Sequence, residues 1–269
     1  MKILITGGSG YIGSRLSAAL GNAHEVHILS KNPEGDVRGD IRDAGLDLSA
    51  YDAILHLAAI SSPKAVEADR PLAWDVNVNG TLNICRKMRK GQALVFISSG
   101  QVYDKRSEKV HSEEETPRPN NFYGLTKLVG EDIVRFHSLQ LGFRHAIFRL
   151  FNVYSPDQGP GLLVGDVMEK YRRGGTIEVH NPRAELDMLH LDDAVRVLSS
   201  FEKIGEGTYN LCSGHRISVG RIYDEIGAHL KMKNRRKVVS DKPGWLLGDN
   251  SKLRSAGFSF REFSLEADR

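Results

Sequence analysis

The chain has 269 residues, 40% of them hydrophobic and 26% charged, and 37 Lys and Arg against 34 Asp and Glu leave a formal charge of +3. Ordinary globular composition at a length that buries a sizeable core excludes wholesale disorder, collagen, a coiled coil and a small stapled scaffold. The cation surplus is too small to indicate a nucleic-acid partner, and Lys231 to Lys237 is the one long block of a single sign.

From the N-terminus, Met1-Lys2-Ile3-Leu4-Ile5-Thr6 runs at once into glycines, too soon for the apolar region of a signal peptide, and no window approaches a membrane span. A cytoplasmic protein without membrane or nucleic-acid partners is the expectation. Apolar, β-rich runs follow at Ile3 to Thr6, Glu25 to Ser30, Ala53 to Ala58, Ala93 to Ser99 and Arg144 to Leu150, with helix-like segments at Tyr11 to Leu20, Trp74 to Lys90 and Tyr123 to Leu141. This alternation predicts an α/β fold, a doubly wound parallel sheet of Rossmann type. The turn-forming cluster Ser155 to Gly161 opens a smaller lobe. Two later strand-like runs, Leu186 to Leu191 and Thr208 to Cys212, bracket a helix-like stretch from Asp192 to Ile204. The expected division is a dinucleotide-binding domain over 1–155, to which 186–212 returns, and a discontinuous substrate lobe over 156–185 and 213–269. Cys85 and Cys212, the only cysteines, each lie in apolar surroundings and read as small buried hydrophobes rather than a disulfide.

The first strand ends in Thr6-Gly7-Gly8-Ser9-Gly10-Tyr11-Ile12-Gly13, which opens a helix. Glycines allow the tight turn and let the backbone approach a pyrophosphate, whose charge meets the helix N-terminal amides, so the cofactor-binding candidates begin with Gly7, Gly10, Tyr11, Ile12 and Gly13. An acid about 20 residues on would select NAD by holding its ribose, yet the second strand ends Ser30-Lys31-Asn32. The hydroxyl of Ser30 and the ammonium of Lys31 suit a 2′-phosphate and tip the reading towards NADP, against which Glu34 and Asp36 lie close by. Asp40-Ile41 suits the adenine amino group, although a turn-capping aspartate is the other reading.

Ser98-Ser99 ends a strand, so these hydroxyls emerge at the carboxyl edge of the sheet, where such folds bind ligands. Tyr123 and Lys127, four apart, share one helix face. A lysine ammonium and a positively charged nicotinamide together would lower the tyrosine towards neutrality and make Tyr123 an acid or base, with Ser99 aligning the reacting oxygen.

With these residues the sequence resembles the extended short-chain dehydrogenase/reductase family, in particular its NAD-dependent epimerase/dehydratase branch, which modifies nucleotide sugars. The resemblance runs from the glycine turn through His56-Leu57-Ala58-Ala59, Asn77-Val78-Asn79-Gly80-Thr81, Ser98-Ser99-Gly100-Gln101-Val102-Tyr103, Tyr123-Gly124-Leu125-Thr126-Lys127 and Arg149-Leu150-Phe151-Asn152-Val153-Tyr154. Asp187-Met188-Leu189-His190-Leu191-Asp192-Asp193 and Tyr209-Asn210-Leu211 continue it. It implies that Tyr123 is the acid/base, that Lys127 grips the nicotinamide ribose, that Ser99 polarises the substrate oxygen, and that Leu57, Ala58, Ala59 and Asn77 lie along the cofactor. It further implies substrate contacts from Gly100, Gln101 and Asn152, and a homodimer. The departures matter. Relatives that form 4-keto-6-deoxy sugars carry an acidic pair where this chain has Gly100 and Gln101, which argues against that chemistry. Many members have an arginine before the aspartate equivalent to Asp187; here Leu186 stands there, leaving Arg183, or the basic run Lys231, Lys233, Arg235, Arg236 and Lys237, to meet a pyrophosphate, although a solvated loop is the better reading of these residues.

The ten histidines make no metal-ligand pattern, so no metal is expected, and His56 and His190 read as satisfied core residues. Ser99 lacks a nucleophile elbow, which leaves a serine hydrolase without support. Three functions remain: NADPH-dependent ketoreduction at C4 of a nucleotide-linked hexose, favoured by Lys31; NAD-dependent 4-epimerisation on the same machinery; and a dinucleotide sensor, which gives Ser99, Tyr123 and Lys127 no task.

Overall fold

The computed structural model describes residues 1–31, 35–233, 235–242 and 244–266. In chain order it contains β1 (Lys2–Thr6), α1 (Tyr11–Leu20), β2 (Glu25–Ser30), β3 (Val37–Arg38), β4 (Ala53–His56), α2 (Pro63–Ala68), α3 (Arg70–Trp74), α4 (Gly80–Lys87), β5 (Ala93–Ser99), β6 (Val110–His111), α5 (Phe122–Leu141), β7 (Arg144–Leu150) and β8 (Asn152–Tyr154). Then come α6 (Leu163–Arg173), β9 (Ile177–His180), β10 (Glu185–His190), α7 (Leu191–Ser199), β11 (Gly207–Leu211), β12 (Arg216–Ser218), α8 (Val219–His229), β13 (Arg236–Ser240), β14 (Trp245–Gly248) and α9 (Ser251–Ser255). Among the described residues no helix is long and apolar enough to cross a membrane.

One sheet of seven strands, in the order β11-β7-β5-β4-β1-β2-β3, organises the first unit, which comprises residues 1–102, 117–150 and 195–209. Its registered pairs, β1 with β2 and β4, β2 with β3, β4 with β5 and β5 with β7, are all parallel. The inner strands are apolar throughout, as a sheet covered on both faces demands, with Ile3, Leu4, Ile5, Ile54, Leu55 and Ile147 fully buried. Strand order reverses between β1 and β4, and the turns after these two strands flank that switch point, the ligand crevice of open α/β sheets.

The second unit comprises residues 103–116, 151–194 and 210–269. Here β10 carries β14 alongside its first half and β8 alongside its second, both parallel, with β12 antiparallel on its other side, while β13 and β9 pair separately. Two features differ from the sequence expectation of a domain over 1–155 to which 186–212 returns. Only β11 joins the large sheet, whereas β10 lies in the smaller one. The excursion 103–116 belongs to the second unit, because β6 pairs with β14 and Tyr103 donates its hydroxyl to Asn210 at 2.8 Å. Both cysteines are buried and free.

Candidate active site

The turn after β1 is built around close backbone approaches. Gly7 has φ +74°, and a Cβ there would stand 2.8 Å from the Ala58 nitrogen; at Gly13 it would stand 2.2 Å from the Gly7 carbonyl oxygen. Both positions require glycine. Gly10 differs: it is extended, with φ −76° and ψ 174°, and an added Cβ would meet only the Gly7 oxygen, at 3.2 Å. As a glycine it caps α1 without a side chain of its own, and Tyr11 and Ile12 begin the first turn. A helix N-terminus entered through a glycine that the chain itself does not demand is a cradle suited to the pyrophosphate of a dinucleotide.

A buried chain of hydrogen bonds runs from this turn towards the expected catalytic helix. The Thr6 hydroxyl donates to His56 Nδ1 at 2.7 Å, His56 Nε2 donates to Thr81 Oγ1 at 3.0 Å, and Thr81 donates to the Asn77 carbonyl at 2.7 Å. That pattern assigns the Nε2-protonated tautomer. Burial first, and then the Lys127 charge, lower His56 to about 3, so it is neutral. The Asn77 amide exchanges hydrogen bonds with the backbone of Ile60, at 2.8 and 3.0 Å, and donates to Thr126, whose hydroxyl donates to the Tyr123 carbonyl at 2.8 Å. Asn77 sits in a wide π turn, Asp75–Asn79, that breaks the single helix expected over Trp74 to Lys90 into α3, the turn and α4. Apolar periodicity does not register such a turn.

Beyond the turns, Leu57 donates its backbone N–H to Thr6, and Ala58 and Ala59 follow it. Ile41 is buried against α4, where a Cβ on Gly80 would strike it at 2.5 Å. The end of β2 holds a charge cluster: Lys31 reaches Asp40 at 2.5 Å, and Arg42 bridges Asp40 at 2.6 Å and Asp75 at 2.5 Å. The Arg42 and Lys31 cations hold Asp40 well below the usual carboxylate range, against the pull of burial. Asp40 also accepts the Arg42 N–H at 2.9 Å, the turn-capping bond, while Asp36 is turned onto the Ile28 N–H at 2.9 Å. Asn32 and Glu34 lie outside the described residues.

Ser99, Tyr123 and Lys127 come together in the first unit. The helix α5 is capped by Asn121, which accepts the Gly124 N–H at 2.8 Å and ties its amide to Gln101 Oε1 at 3.1 Å. Gly124 and Gly130 let α5 press on its neighbours; a Cβ would stand 2.1 Å from the Gln101 carbonyl oxygen and 2.7 Å from the Phe96 ring respectively. Burial raises Tyr123 to about 12, and its hydrogen bond with Ser99 works in the opposite direction. Lys127 donates to the Ile97 carbonyl at 2.7 Å and lies 4.9 Å from the centroid of Phe96. Burial brings it down to about 8, opposed by Glu131. The phenol is therefore raised by burial rather than lowered towards neutrality, and the ammonium is engaged with the Ile97 carbonyl and the Phe96 ring. Gly100 and Gln101 follow Ser99 in a short 3₁₀ turn, with the Gln101 N–H donating to Ser99 Oγ at 3.1 Å. Asn152 and Arg183 belong to the second unit, where Asn152 donates to the Asp187 carbonyl at 3.1 Å and Arg183 pairs with Asp241 at 2.7 Å.

The profile of the NAD dependent epimerase/dehydratase family matches residues 3–212. The chain belongs to this family. It is an enzyme of the extended short-chain dehydrogenase/reductase type, and its fold is that group's fold. It is similar to a GDP-6-deoxy-D-talose 4-dehydrogenase of Aggregatibacter actinomycetemcomitans, 30% identical over 99% of this chain and 95% of that one. It is also similar to a UDP-glucose 4-epimerase of Streptomyces lividans, 31% identical over 97% of this chain and 78% of that one. Among solved structures it resembles DesIV, a dTDP-glucose 4,6-dehydratase of Streptomyces venezuelae with NAD and TYD bound, at 25% identity and a TM-score of 0.87 over 98% of this chain and 93% of that one. The RMD protein of Pseudomonas aeruginosa, complexed with NADPH, shares the fold at 23% identity and a TM-score of 0.85 over 97% and 94%.

Proposed function

We propose that this family member transfers hydride at a secondary alcohol or ketone carbon, C4, of a nucleotide-linked hexose, and that it acts as an NADPH-dependent 4-ketoreductase. The observation that carries this reading is the convergence of Ser99, Tyr123 and Lys127 in one unit with the glycine cradle after β1. Gly7, Gly10 and Gly13, with the first turn of α1, would hold the pyrophosphate; Ser30 and Lys31 the adenosine end; Ile41, Leu57, Ala58, Ala59 and Asn77 the length of the dinucleotide; and Lys127 its ribose. Hydride is what the bound dinucleotide would supply. The chain contributes the proton and the alignment: Tyr123 donates its phenolic proton to the substrate oxygen, and Ser99 hydrogen-bonds that oxygen and fixes its direction. A protonated phenol is the acid that reduction of a ketone requires. Gly100 and Gln101 place no carboxylate beside Ser99, which argues against elimination of water.

The NADPH preference is supported by the end of β2, where Lys31 is an exposed cation paired with Asp40, a carboxylate it shares with Arg42, and Asp36 is committed to the Ile28 N–H. A 2′-phosphate would draw Lys31 from Asp40 and leave Arg42 to balance that carboxylate. NAD-dependent 4-epimerisation is the second reading, favoured by that same Lys31–Asp40 pair, which neutralises the ammonium, and by the likeness to the Streptomyces lividans enzyme.

The test is a panel of UDP-, dTDP-, GDP- and CDP-hexoses and their 4-keto derivatives, offered to the parent and to Tyr123→Phe with each dinucleotide. The expected result is turnover lowered about a hundredfold or more with dinucleotide affinity nearly unchanged, the scale on which acid/base catalysis operates. Equal turnover by both proteins removes Tyr123 from the chemistry. Tightly retained NAD in the purified protein would replace ketoreduction by epimerisation.

A further inference from the structure

Glu131 lies on α5 four residues beyond Lys127 and eight beyond Tyr123, so the three share one face of the helix. Its carboxylate is fully buried. One oxygen accepts from the Ser98 hydroxyl at 2.6 Å and from Arg149 Nε at 3.0 Å; the other accepts from the Arg149 and Arg135 guanidinium groups at 2.8 and 2.6 Å. Burial pushes this carboxyl up, yet Arg149 first, then Ser98 and Arg135, hold it below its ordinary range, so it carries its charge. As an element of stability alone such a cluster has little justification, since a buried ion pair roughly breaks even against apolar residues of the same volume.

Lys127 supplies a reason. It is 4% exposed, and its ammonium rests on a carbonyl and a phenyl ring, neither of them an anion. The groups that couple to Lys127 are Glu131 on the same helix and His56 on β4, while the other anions of the packed elements, Asp132, Glu67 and Asp75, are exposed and paired with Arg135, Arg70 and Arg42. His56 is neutral and Tyr123 protonated, which leaves Glu131 as the anion that opposes the desolvation of Lys127. We propose that Glu131 is a positioning residue: it is the buried counter-charge that keeps Lys127 an ammonium in an apolar seat, while Ser98 and Arg149 fasten it to β5 and β7. This rests on the assignment of Lys127 to the dinucleotide ribose.

The experiment needs no substrate. Dissociation constants of NADPH and of NAD are measured by calorimetry from pH 7 to 9.5, a window in which Glu131 stays ionised, Tyr123 protonated and His56 neutral. The parent is expected to lose affinity as Lys127 gives up its proton near pH 8, and Lys127→Ala to show weak binding without that pH dependence. Glu131→Gln keeps an acceptor for Ser98 but deletes the charge, and should move the midpoint to lower pH by about one unit. Arg135→Ala removes a half-exposed cation from the cluster, so it is expected to fold and to move the midpoint to higher pH. A midpoint unmoved in Glu131→Gln, with affinity lowered equally at every pH, would reduce Glu131 to a structural part and overturn the proposal. If Glu131→Gln does not fold, a midpoint unmoved in Arg135→Ala overturns it. A pH dependence that survives in Lys127→Ala refutes the placement of Lys127 at the ribose instead, and so separates the two failures.

Discussion

The three glycines after β1 invite opposite outcomes from similar substitutions. Gly10 is extended, a conformation open to any residue, and its ideal Cβ would approach only the Gly7 oxygen at 3.2 Å, which a shift of a few tenths of an ångström relieves. Gly10→Val therefore costs the fold the preference for glycine over valine at a helix N-cap and a little local strain, about 1 kcal/mol together. Gly13→Ala is different in kind. Its Cβ would fall 2.2 Å from the Gly7 oxygen and 2.7 Å from Gly8 Cα, both backbone, so β1 and α1 must separate at a cost of roughly 3 kcal/mol or more. Denaturant unfolding followed by circular dichroism, with calorimetric titration of NADPH and NAD, reads both quantities. The expected pattern is a folded Gly10→Val that has lost dinucleotide affinity at least about a hundredfold, and a Gly13→Ala that is destabilised whether or not dinucleotide is present. A folded Gly10→Val that binds within about threefold of the parent would refute the placement of the pyrophosphate, because nothing else in the turn asks for glycine at that position.

Lys31→Asp should weaken NADPH more than NAD, by replacing a cation with an anion beside the 2′-phosphate; equal weakening of both removes Lys31 from cofactor choice. Ser99→Ala should lower turnover while leaving dinucleotide affinity within about threefold, as measured by initial rates and calorimetry, since its partner is the substrate oxygen. Asp187 gives a stability expectation: burial raises it to about 6 despite bonds from the Ser213 N–H and hydroxyl and the Gly214 N–H. A carboxyl raised in the folded state contributes stability that is complete below its unfolded value of 3.8 and is lost as pH rises through about 6, up to about 3 kcal/mol at about 1.4 kcal/mol per unit. The difference in unfolding free energy between the parent and Asp187→Asn should therefore change by about 2 kcal/mol between pH 4.5 and 7.5, the part of that loss falling above pH 4.5, and parallel curves would contradict it.

What was legible in the sequence followed from period and from glycine chemistry. The runs Ala93 to Ser99 and Arg144 to Leu150 are strands with those same ends, because fully buried parallel strands are continuous apolar runs that stop where polar residues reach the sheet edge. The glycine turn could be read because Gly7 and Gly13 are fixed by backbone geometry that no other residue satisfies. Elements stabilised by distant partners escaped. The two-residue strand β6 is too short to show alternation and exists through its pairing with β14. Asp40 was legible as a turn cap, yet its second cation, Arg42, was not, since an ion pair leaves no periodic trace. Glu131 stood in view at helical spacing from Lys127, but its partners Ser98 and Arg149 lie 33 and 18 residues away, on two different strands.

Two buried polar chains converge on α5, and their joint effect bears on what the protein can be. One descends from Thr6 through His56, Thr81, Asn77 and Thr126 to the carbonyl of Tyr123; the other joins Ser98, Glu131, Arg149 and Arg135 beneath Lys127. In a low-dielectric interior a half-satisfied network costs more than an apolar one, so a helix anchored at both places resists displacement unless several bonds break together. A dinucleotide sensor needs an element that shifts between two positions when ligand arrives. An acid/base pair needs the reverse, side chains already held where the reacting oxygen will be, because small misplacements are expensive in rate. Anchoring Tyr123 and Lys127 to four strands of the sheet and to the π turn serves the second requirement and works against the first.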